Sequence, residues 1–197
     1  MLTISKLTPD AHHEAARLLA ATMASNPINK AVFKSVNPAA IRKQQQMFQF
    51  VLARPGFTTY AARIDERIVG VMCYATSDNC QLNPLAELPS VLSLAGALRI
   101  TLIPVLQWQN AWGKQDPKHN HLHFGPLAVA NEYQGRQIGS NLLALFCKQA
   151  DAMQLPAFLE TDKPENLVLY QRFGFNVVAS DIVLGVKTWY MRREPES

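Results

Sequence analysis

The chain lacks most features that mark disulfide-bonded, zinc-finger or nucleic-acid-binding proteins. Only three of its 197 residues are cysteine, an odd number without C-x-x-C spacing, so neither a disulfide framework nor a zinc finger is predicted. The thiols of Cys73 and Cys147 lie in apolar segments, which favours buried thiols in a reducing compartment. Charged residues make up 17% of the chain and the basic ones are scattered, so no nucleic-acid partner is expected despite a net charge of +4.

Long apolar runs are also missing. The N-terminal segment has no continuous apolar core of the signal-peptide type. The most hydrophobic stretch, residues 88–106, is interrupted by Pro89, Arg99 and Pro104, and a membrane span needs about 20 apolar residues. We therefore expect a cytoplasmic protein without a membrane partner. A composition that is 48% apolar predicts a globular chain, which we interpret as a single domain over residues 1–197.

Hydrophobic periodicity predicts alternating strands and helices. A Gly125-Pro126 interruption in one strand indicates a bulge or an edge position. The first helix begins near Pro9 and is ended by Asn26-Pro27. Strands are predicted at residues 2–7, 57–64, 67–76, 122–130, 157–160, 175–178 and 183–191, further helices at 38–53, 91–108 (broken near Pro104), 138–153 and 166–173, and loop at 78–89 and 113–120.

The clearest chemical signal is a strand–loop–helix segment whose loop reads YQGRQIGS. A loop that enters a helix N-terminus presents unpaired backbone N–H groups and the positive end of the helix dipole. Gly135, Gly139 and Ser140 are small and Arg136 adds a cation, so the loop is predicted to bind a pyrophosphate. Such glycines also arise for structural reasons alone. Neither the dinucleotide fingerprint nor the P-loop pattern matches.

The same residues resemble a known family. YQGRQIGSNLL resembles the acetyl-CoA signature Q/R-x-x-G-x-G/A of GCN5-related N-acetyltransferases (GNAT), with Gln134 and Gly139 matching and Gln137 standing in place of the first glycine. Downstream, PAFLETDKPENLVLYQRFGF resembles the end of the family's core, with Asn166, Tyr170 and a Gly-Phe step. This C-terminal part is most similar to the puromycin N-acetyltransferase-like members.

The resemblance implies an α/β fold with a twisted, mostly antiparallel sheet flanked by helices. Two central strands of that fold splay apart and admit acetyl-CoA as cosubstrate. The pantetheine arm would contact Asn166, Tyr170 and the backbone of Leu127, Ala128 and Val129. The diphosphate would contact Gln134, Gly135, Arg136, Gln137, Ile138, Gly139 and Ser140.

The resemblance also implies transfer of an acetyl group to the primary amine of a small molecule by direct attack, with Tyr170 as general acid. Glu160 is the candidate general base, with binding of the substrate cation as an equal alternative. Two other functions stay open: acetylation of a protein or peptide, and a CoA-binding module without catalysis. Trp108 and Trp112 are expected to form the acceptor pocket wall or a homodimer contact.

No metal site is expected. His119, His121 and His123 alternate along one strand, but the sequence shows no carboxylate or cysteine at ligand spacing nearby. They are expected to line the acceptor side of the cleft or to be exposed, with His121 or His123 as an alternative base.

Overall fold

The computed structural model describes residues 1–82 and 87–196, and in that part the chain forms seven strands and eight α-helices. The strands are β1 (Leu2–Lys6), β2 (Phe57–Ile64), β3 (Arg67–Thr76), β4 (Leu122–Val129), β5 (Ala157–Thr161), β6 (Asn176–Val183) and β7 (Val186–Arg193). The helices are α1 (His12–Met23), α2 (Pro27–Phe33), α3 (Pro38–Ala53), α4 (Ser77–Cys80), α5 (Leu88–Leu98), α6 (Leu102–Gln115), α7 (Ile138–Met153) and α8 (Pro164–Arg172).

All strands belong to one sheet in the order β1-β2-β3-β4-β5-β7-β6. Every pairing is antiparallel except that of β4 with β5. Because strand side chains alternate between faces, Val71 and Cys73 of β3 join a core with α1, α2 and α3, while Met72 and Tyr74 join a core with α7 and α8. The predicted fold, a mostly antiparallel sheet with helices on both faces, is confirmed.

Tight turns explain the two hairpins. Asp65 and Glu66 join β2 to β3 with φ of 49° and 66°, and Leu184 and Gly185 join β6 to β7 with φ of 51° and 79°. Two successive left-handed residues match the twist of the flanking strands. The two strands of the first hairpin have the predicted bounds, 57–64 and 67–76. In the second hairpin β6 is longer than the predicted strand at 175–178, and β7 begins three residues later than the predicted strand at 183–191.

Helix α2 is absent from the sequence-based prediction, which used Pro27 only as a stop. Pro27 ends the first helical run and also occupies the first turn of α2, where its missing N–H costs nothing. The side chain of Asn26 makes no cap bond; instead the Asp162 carboxylate accepts from Ile28 N at 2.7 Å. A cap from a residue 134 positions away leaves no local sequence signal.

The apolar segment that starts at Leu88 forms two helices, α5 and α6. The break between them is a 3-10 turn, Arg99–Thr101, whereas the sequence predicted a break near Pro104. Pro104 lies in the first turn of α6, where proline is tolerated. The predicted loop at 78–89 contains α4 and the start of α5, while its residues 83–86 fall outside the described residues. Helix α6 continues to Gln115 and so includes the first residues of the loop predicted at 113–120.

Helices α5 and α6 pack mainly on α3 and α2. Leu92, Ile100 and Ile103 on this segment are exposed. By length and composition alone, Leu88–Gln115 is the one stretch among the described residues apolar enough to cross a membrane, with a mean hydropathy of 1.6.

Candidate functional site

The centre of the sheet opens between β4 and β5. These strands share only two residue pairs, Leu122 with Ala157 and His123 with Phe158. On the other side, β4 stays paired with β3 through Val129, with one extra residue on β4 at Gly125-Pro126. This is the predicted bulge, and β4 is a central strand rather than an edge strand.

Hydrogen-bonding groups of β4 face the opening. Ala130 N donates to Val69 O of β3 at 2.9 Å, and successive residues of a strand alternate in direction. The backbone groups of Leu127 and Val129 therefore point away from β3, toward the space that β5 leaves. One of them is occupied, because Gln134 Nε2 donates to Val129 O at 3.0 Å. The alternate residue, Ala128, faces β3.

The loop before α7 presents a row of free amides. Among the described residues, the backbone N–H groups from Gly135 to Ser140 donate no hydrogen bond to backbone or side chain, and the first bond of the helix runs from Asn141 N to Gln137 O. Ile138, Gly139 and Ser140 are the first three residues of α7, so their N–H groups carry the positive end of its dipole. Arg136 is exposed beside them, with its guanidinium 5.2 Å from the Tyr133 ring centre. The loop can therefore bind an anion.

Gln137 adopts the left-handed conformation, with φ of 61°. Glycine reaches this region without a steric penalty, whereas a residue with Cβ pays about 1 to 2 kcal/mol. The backbone thus explains why a glycine would suit this position. The amide remains available, while the side chain adds bulk to an exposed part of the loop.

A cavity of about 270 Å³ reaches the opening from the side of α2, α3 and α6. Its lining includes four predicted site residues: Leu127, Glu160, Asn166 and Tyr170. The predicted loop residues, from Gln134 to Ser140, are not part of this lining and lie at the far end of the opening. A wider groove of about 760 Å³ between α3 and α5 contains none of the predicted residues.

Tyr170 and Asn166 lie one turn apart on α8. Tyr170 is buried between Phe124 and Phe175, and burial raises the pKa of its hydroxyl well above the ordinary value. Asn166 Nδ2 donates to Thr161 Oγ1 at 3.3 Å. Helix α8 has no side-chain cap, so Asn166 is not a capping residue. Both side chains are thus placed on the cavity.

The histidines form a chain of contacts that the sequence did not reveal. Asp116 Oδ1 lies 3.2 Å from His121 Nε2 and 2.9 Å from His123 Nδ1, and Asp116 Oδ2 lies 3.2 Å from Cys80 Sγ. On the other side of the ring, His123 Nε2 lies 3.0 Å from Glu160 Oε2. The expectation of no carboxylate or cysteine nearby is wrong, because α4 brings Cys80 and the end of α6 brings Asp116 to the histidines.

These contacts shift the ionisation of the groups. Burial opposes protonation of His121, but hydrogen bonds to Asp116 and Cys80 outweigh it and raise its pKa to about 9. For His123 burial again opposes, and the nearby carboxylates of Glu160 and Asp116 raise its pKa well above the usual range. The histidines hold the pKa of Asp116 well below its usual range although burial acts against this.

Several buried polar atoms in the cavity have no partner among the described residues. They include both side-chain polar atoms of Asn29, the indole nitrogens of Trp108 and Trp112, and Glu160 Oε1. A buried polar group without a partner costs about 1 to 3 kcal/mol, so such atoms mark places where a ligand can bind. The sequence analysis did not identify Asn29 as a candidate, just as it did not predict α2, the helix that carries this residue. Trp108 and Trp112 line the cavity, as a place in the wall of an acceptor pocket requires.

Comparison with known proteins gives a consistent match. A model of the acetyltransferase (GNAT) family matches residues 29–175. Histone acetyltransferase HPA2 and related acetyltransferase from Corynebacterium glutamicum is 18% identical with a TM-score of 0.71, covering 100% of this chain and 97% of that one.

Two further solved structures have the same fold. FeeM, an N-acyl amino acid synthase from uncultured soil microbes, is 14% identical with a TM-score of 0.57, covering 98% of this chain and 91% of that one. An acetyltransferase of the same family from Streptococcus pneumoniae is 13% identical with a TM-score of 0.58, covering 100% of both chains.

Proposed function

The chain belongs to the acetyltransferase (GNAT) family, and on this premise we propose that it transfers the acetyl group of acetyl-CoA to the primary amine of a small molecule. The observation that carries the proposal is the cavity at the strand opening. It brings a buried tyrosine hydroxyl, a buried carboxylate and unpartnered polar atoms to the end of a slot bordered by free amides.

The residues present fit acetyl-CoA. Free amides from Gly135 to Ser140, with the Arg136 guanidinium, suit a diphosphate. Backbone groups of Leu127 facing the opening suit an amide-bearing arm such as pantetheine, and Asn166 adds a side-chain amide. When bound, acetyl-CoA supplies an acetyl group activated as a thioester.

The chain's own groups account for the transfer. The amine lone pair forms the new N–C bond, the C–S bond breaks, and the sulfur keeps the electron pair. The Tyr170 hydroxyl donates a proton to that sulfur, and its raised pKa keeps it protonated until the thiolate forms. Backbone N–H groups at the opening stabilise the charge on the carbonyl oxygen.

Glu160 is assigned the contact with the acceptor amine. Its side chain is 2% exposed, and Oε2 is held by His123 while Oε1 has no partner among the described residues. This oxygen can accept a hydrogen bond from the incoming ammonium group and take the proton that the amine loses. Apolar walls with a few polar atoms suit a small ligand.

An acetyl-CoA binding experiment tests the proposal. Ser140 is the third residue of α7, and Ser140→Glu places a carboxylate where the diphosphate would bind, at a position where helices tolerate acidic residues. Ser90→Glu is a matched control, because Ser90 is the third residue of α5. By calorimetry, we expect Ser140→Glu to weaken acetyl-CoA binding about tenfold or more, equivalent to about 1.4 kcal/mol, and the control to bind as the parent does.

Thiol release then identifies the acceptor class. We expect small primary amines, rather than peptides or protein N-termini, to accelerate CoA release from acetyl-CoA. Release driven only by peptides would favour the protein-acetylating alternative. Binding without release by any amine would favour a non-catalytic module, and equal binding by parent and Ser140→Glu would contradict the placement of the diphosphate.

A further inference from the structure

We propose that Cys80, Asp116, His121 and His123 form a zinc site beside the acceptor cavity. The site adjoins the proposed acceptor site, because Cys80 and His123 line the same cavity and His123 Nε2 contacts Glu160 Oε2, but its ligands take no part in the acetyl transfer described above. It consists of one thiol, one carboxylate and two imidazoles, which come from three segments of the chain. Cys80 ends α4, Asp116 follows α6, and the two histidines lie at the start of β4.

The four ligand groups lie close together, with the Asp116 carboxylate in contact with the other three. The ligand atoms lie within 4.8 Å of one another, and the contacts to Asp116, two through Oδ1 and one through Oδ2, are between 2.9 and 3.2 Å. Ligand atoms about 2.0 to 2.3 Å from a tetrahedral ion are about 3.3 to 3.8 Å apart. Zinc binding therefore needs the contacts to Asp116 to lengthen by about half an ångström and the widest ligand separation to shorten by about one ångström.

The second nitrogen of each imidazole is already bonded to an acceptor. His121 Nδ1 lies 2.8 Å from His119 O, and His123 Nε2 lies 3.0 Å from Glu160 Oε2. A backbone carbonyl and a carboxylate are the usual outer partners of zinc-bound histidines, because they fix the tautomer and the ring orientation. His121 Nε2 and His123 Nδ1 are thereby left to face Asp116 Oδ1. This arrangement is independent of the proximity of the ligands.

The donor set selects the metal. A thiolate with two imidazoles favours zinc and disfavours calcium or magnesium, which prefer oxygen ligands alone. Four protein ligands leave no open position, so the site is structural rather than catalytic. A bound ion would tie α4 and the end of α6 to β4 and so hold the cavity wall formed by Trp112 and Gly113.

Zinc and cobalt binding by the full chain tests this site. After treatment with a chelator, we expect the protein to take up one zinc per chain, and cobalt to give a thiolate-to-metal charge-transfer band. Cys80→Ser should remove that band and weaken zinc binding about 100-fold or more. His119→Ala is the matched control for His121→Ala, since it keeps the carbonyl that orients His121; His119→Ala should bind zinc as the parent does, and His121→Ala should not.

The parent protein provides a test that needs no variant. Bound zinc should slow alkylation of Cys80 at least about tenfold, measured by peptide mass spectrometry, while Cys73 and Cys147, both buried elsewhere, react equally with and without zinc. A protein that takes up no stoichiometric zinc, or whose Cys80 reacts at the same rate in both states, would overturn the proposal and leave the cluster as a hydrogen-bonded network. Acetyl-CoA binding is measured separately, so either proposal can fail alone.

Discussion

Glu160 Oε2 on β5 lies 3.0 Å from His123 Nε2 on β4, next to the last residue pair that joins these strands. The contact bridges the strands at the point where they begin to part. It also leaves Glu160 Oε1 without a partner among the described residues, inside the cavity. The carboxylate is therefore fixed through one oxygen and available through the other.

Glu160→Gln tests this availability. Glutamine keeps a hydrogen bond to His123 but loses the charge that attracts an ammonium group. We expect kcat/KM for the amine to fall about 100-fold, with acetyl-CoA affinity unchanged, by steady-state kinetics and calorimetry. Glu165→Gln, on the exposed side of α8, is the control and should leave both unchanged. A loss smaller than twofold for Glu160→Gln would remove Glu160 from the acceptor site.

Tyr170→Phe removes the proposed proton donor while keeping the ring that packs on Phe124. We expect kcat to fall about 100-fold with little change in acetyl-CoA affinity, as is usual when general acid catalysis is lost. Tyr60→Phe on β2 removes a hydroxyl far from α8 and should leave kcat unchanged. Equal turnover by Tyr170→Phe and the parent would show that the leaving thiolate takes its proton from elsewhere.

Gln137→Gly should stabilise the protein. It relieves about 1 to 2 kcal/mol of left-handed strain and adds about 0.5 to 1 kcal/mol of backbone entropy to the unfolded chain, for a net gain of about 0.5 to 1 kcal/mol. Lys148→Gly, on the exposed face of α7, should instead lower the free energy of unfolding by about 1 kcal/mol. Urea denaturation of both variants measures the difference. A destabilised Gln137→Gly would mean that the glutamine side chain contributes more than its backbone costs.

The ion pair between Asp151 and Arg193 contributes to stability in a way that depends on pH. Arg193 Nη1 and Nη2 donate to the two Asp151 oxygens at 2.6 and 3.0 Å, and this hydrogen bonding holds the pKa of Asp151 below its ordinary value. Because the pKa of Asp151 is lower in the folded than in the unfolded state, its ionised carboxylate stabilises the fold at pH values above the ordinary pKa of 3.8. This stability is lost as the pH falls through the lowered pKa.

Asp151→Asn should therefore lower the free energy of unfolding by about 1 to 2 kcal/mol at pH 7, and by less in acid. The buried guanidinium of Arg193 would lose its paired hydrogen bonds to a charged Asp151 while keeping its bond to Phe173 O and its contact with Glu196. Asp181→Asn, on the exposed hairpin, is the control. Urea denaturation at several pH values measures both; parallel pH curves for Asp151→Asn and the parent would contradict the prediction.

Local patterns predicted the elements whose causes are local. Helix α3 and the β2–β3 hairpin have the predicted bounds, because Asn37 caps the former through Ala40 N and Asp65-Glu66 closes the latter. The strand–loop–helix unit was predictable for the same reason, since small residues and a helix N-terminus occur together in one short segment. The family resemblance then located Tyr170 and Asn166.

Contacts between distant residues were not predictable. Cys80 reaches Asp116 from 36 residues away, because α4 and the end of α6 meet beside β4. The contacts of Asp116 with His121 and His123 span only five and seven residues, so Asp116 was within the range of a spacing argument. The first turn of helix α2 donates a hydrogen bond from Ile28 N to Asp162, which lies 134 residues later in the sequence. The partners of Cys80 and Ile28 are set by how distant segments pack on the sheet, and neither spacing nor periodicity in the sequence records that packing.

The parting of β4 and β5 gives the sheet an internal border in addition to its two outer edges. Outer edges are usually protected by charges, prolines or short strands, because exposed strand groups can pair with other chains. Here the N–H groups of Leu127 and Val129 lie in the middle of a seven-stranded sheet yet face no neighbouring strand. Without a ligand, these amides should exchange their hydrogen with deuterated solvent as readily as those of a terminal strand, and an arm lying in the slot would act as the missing strand.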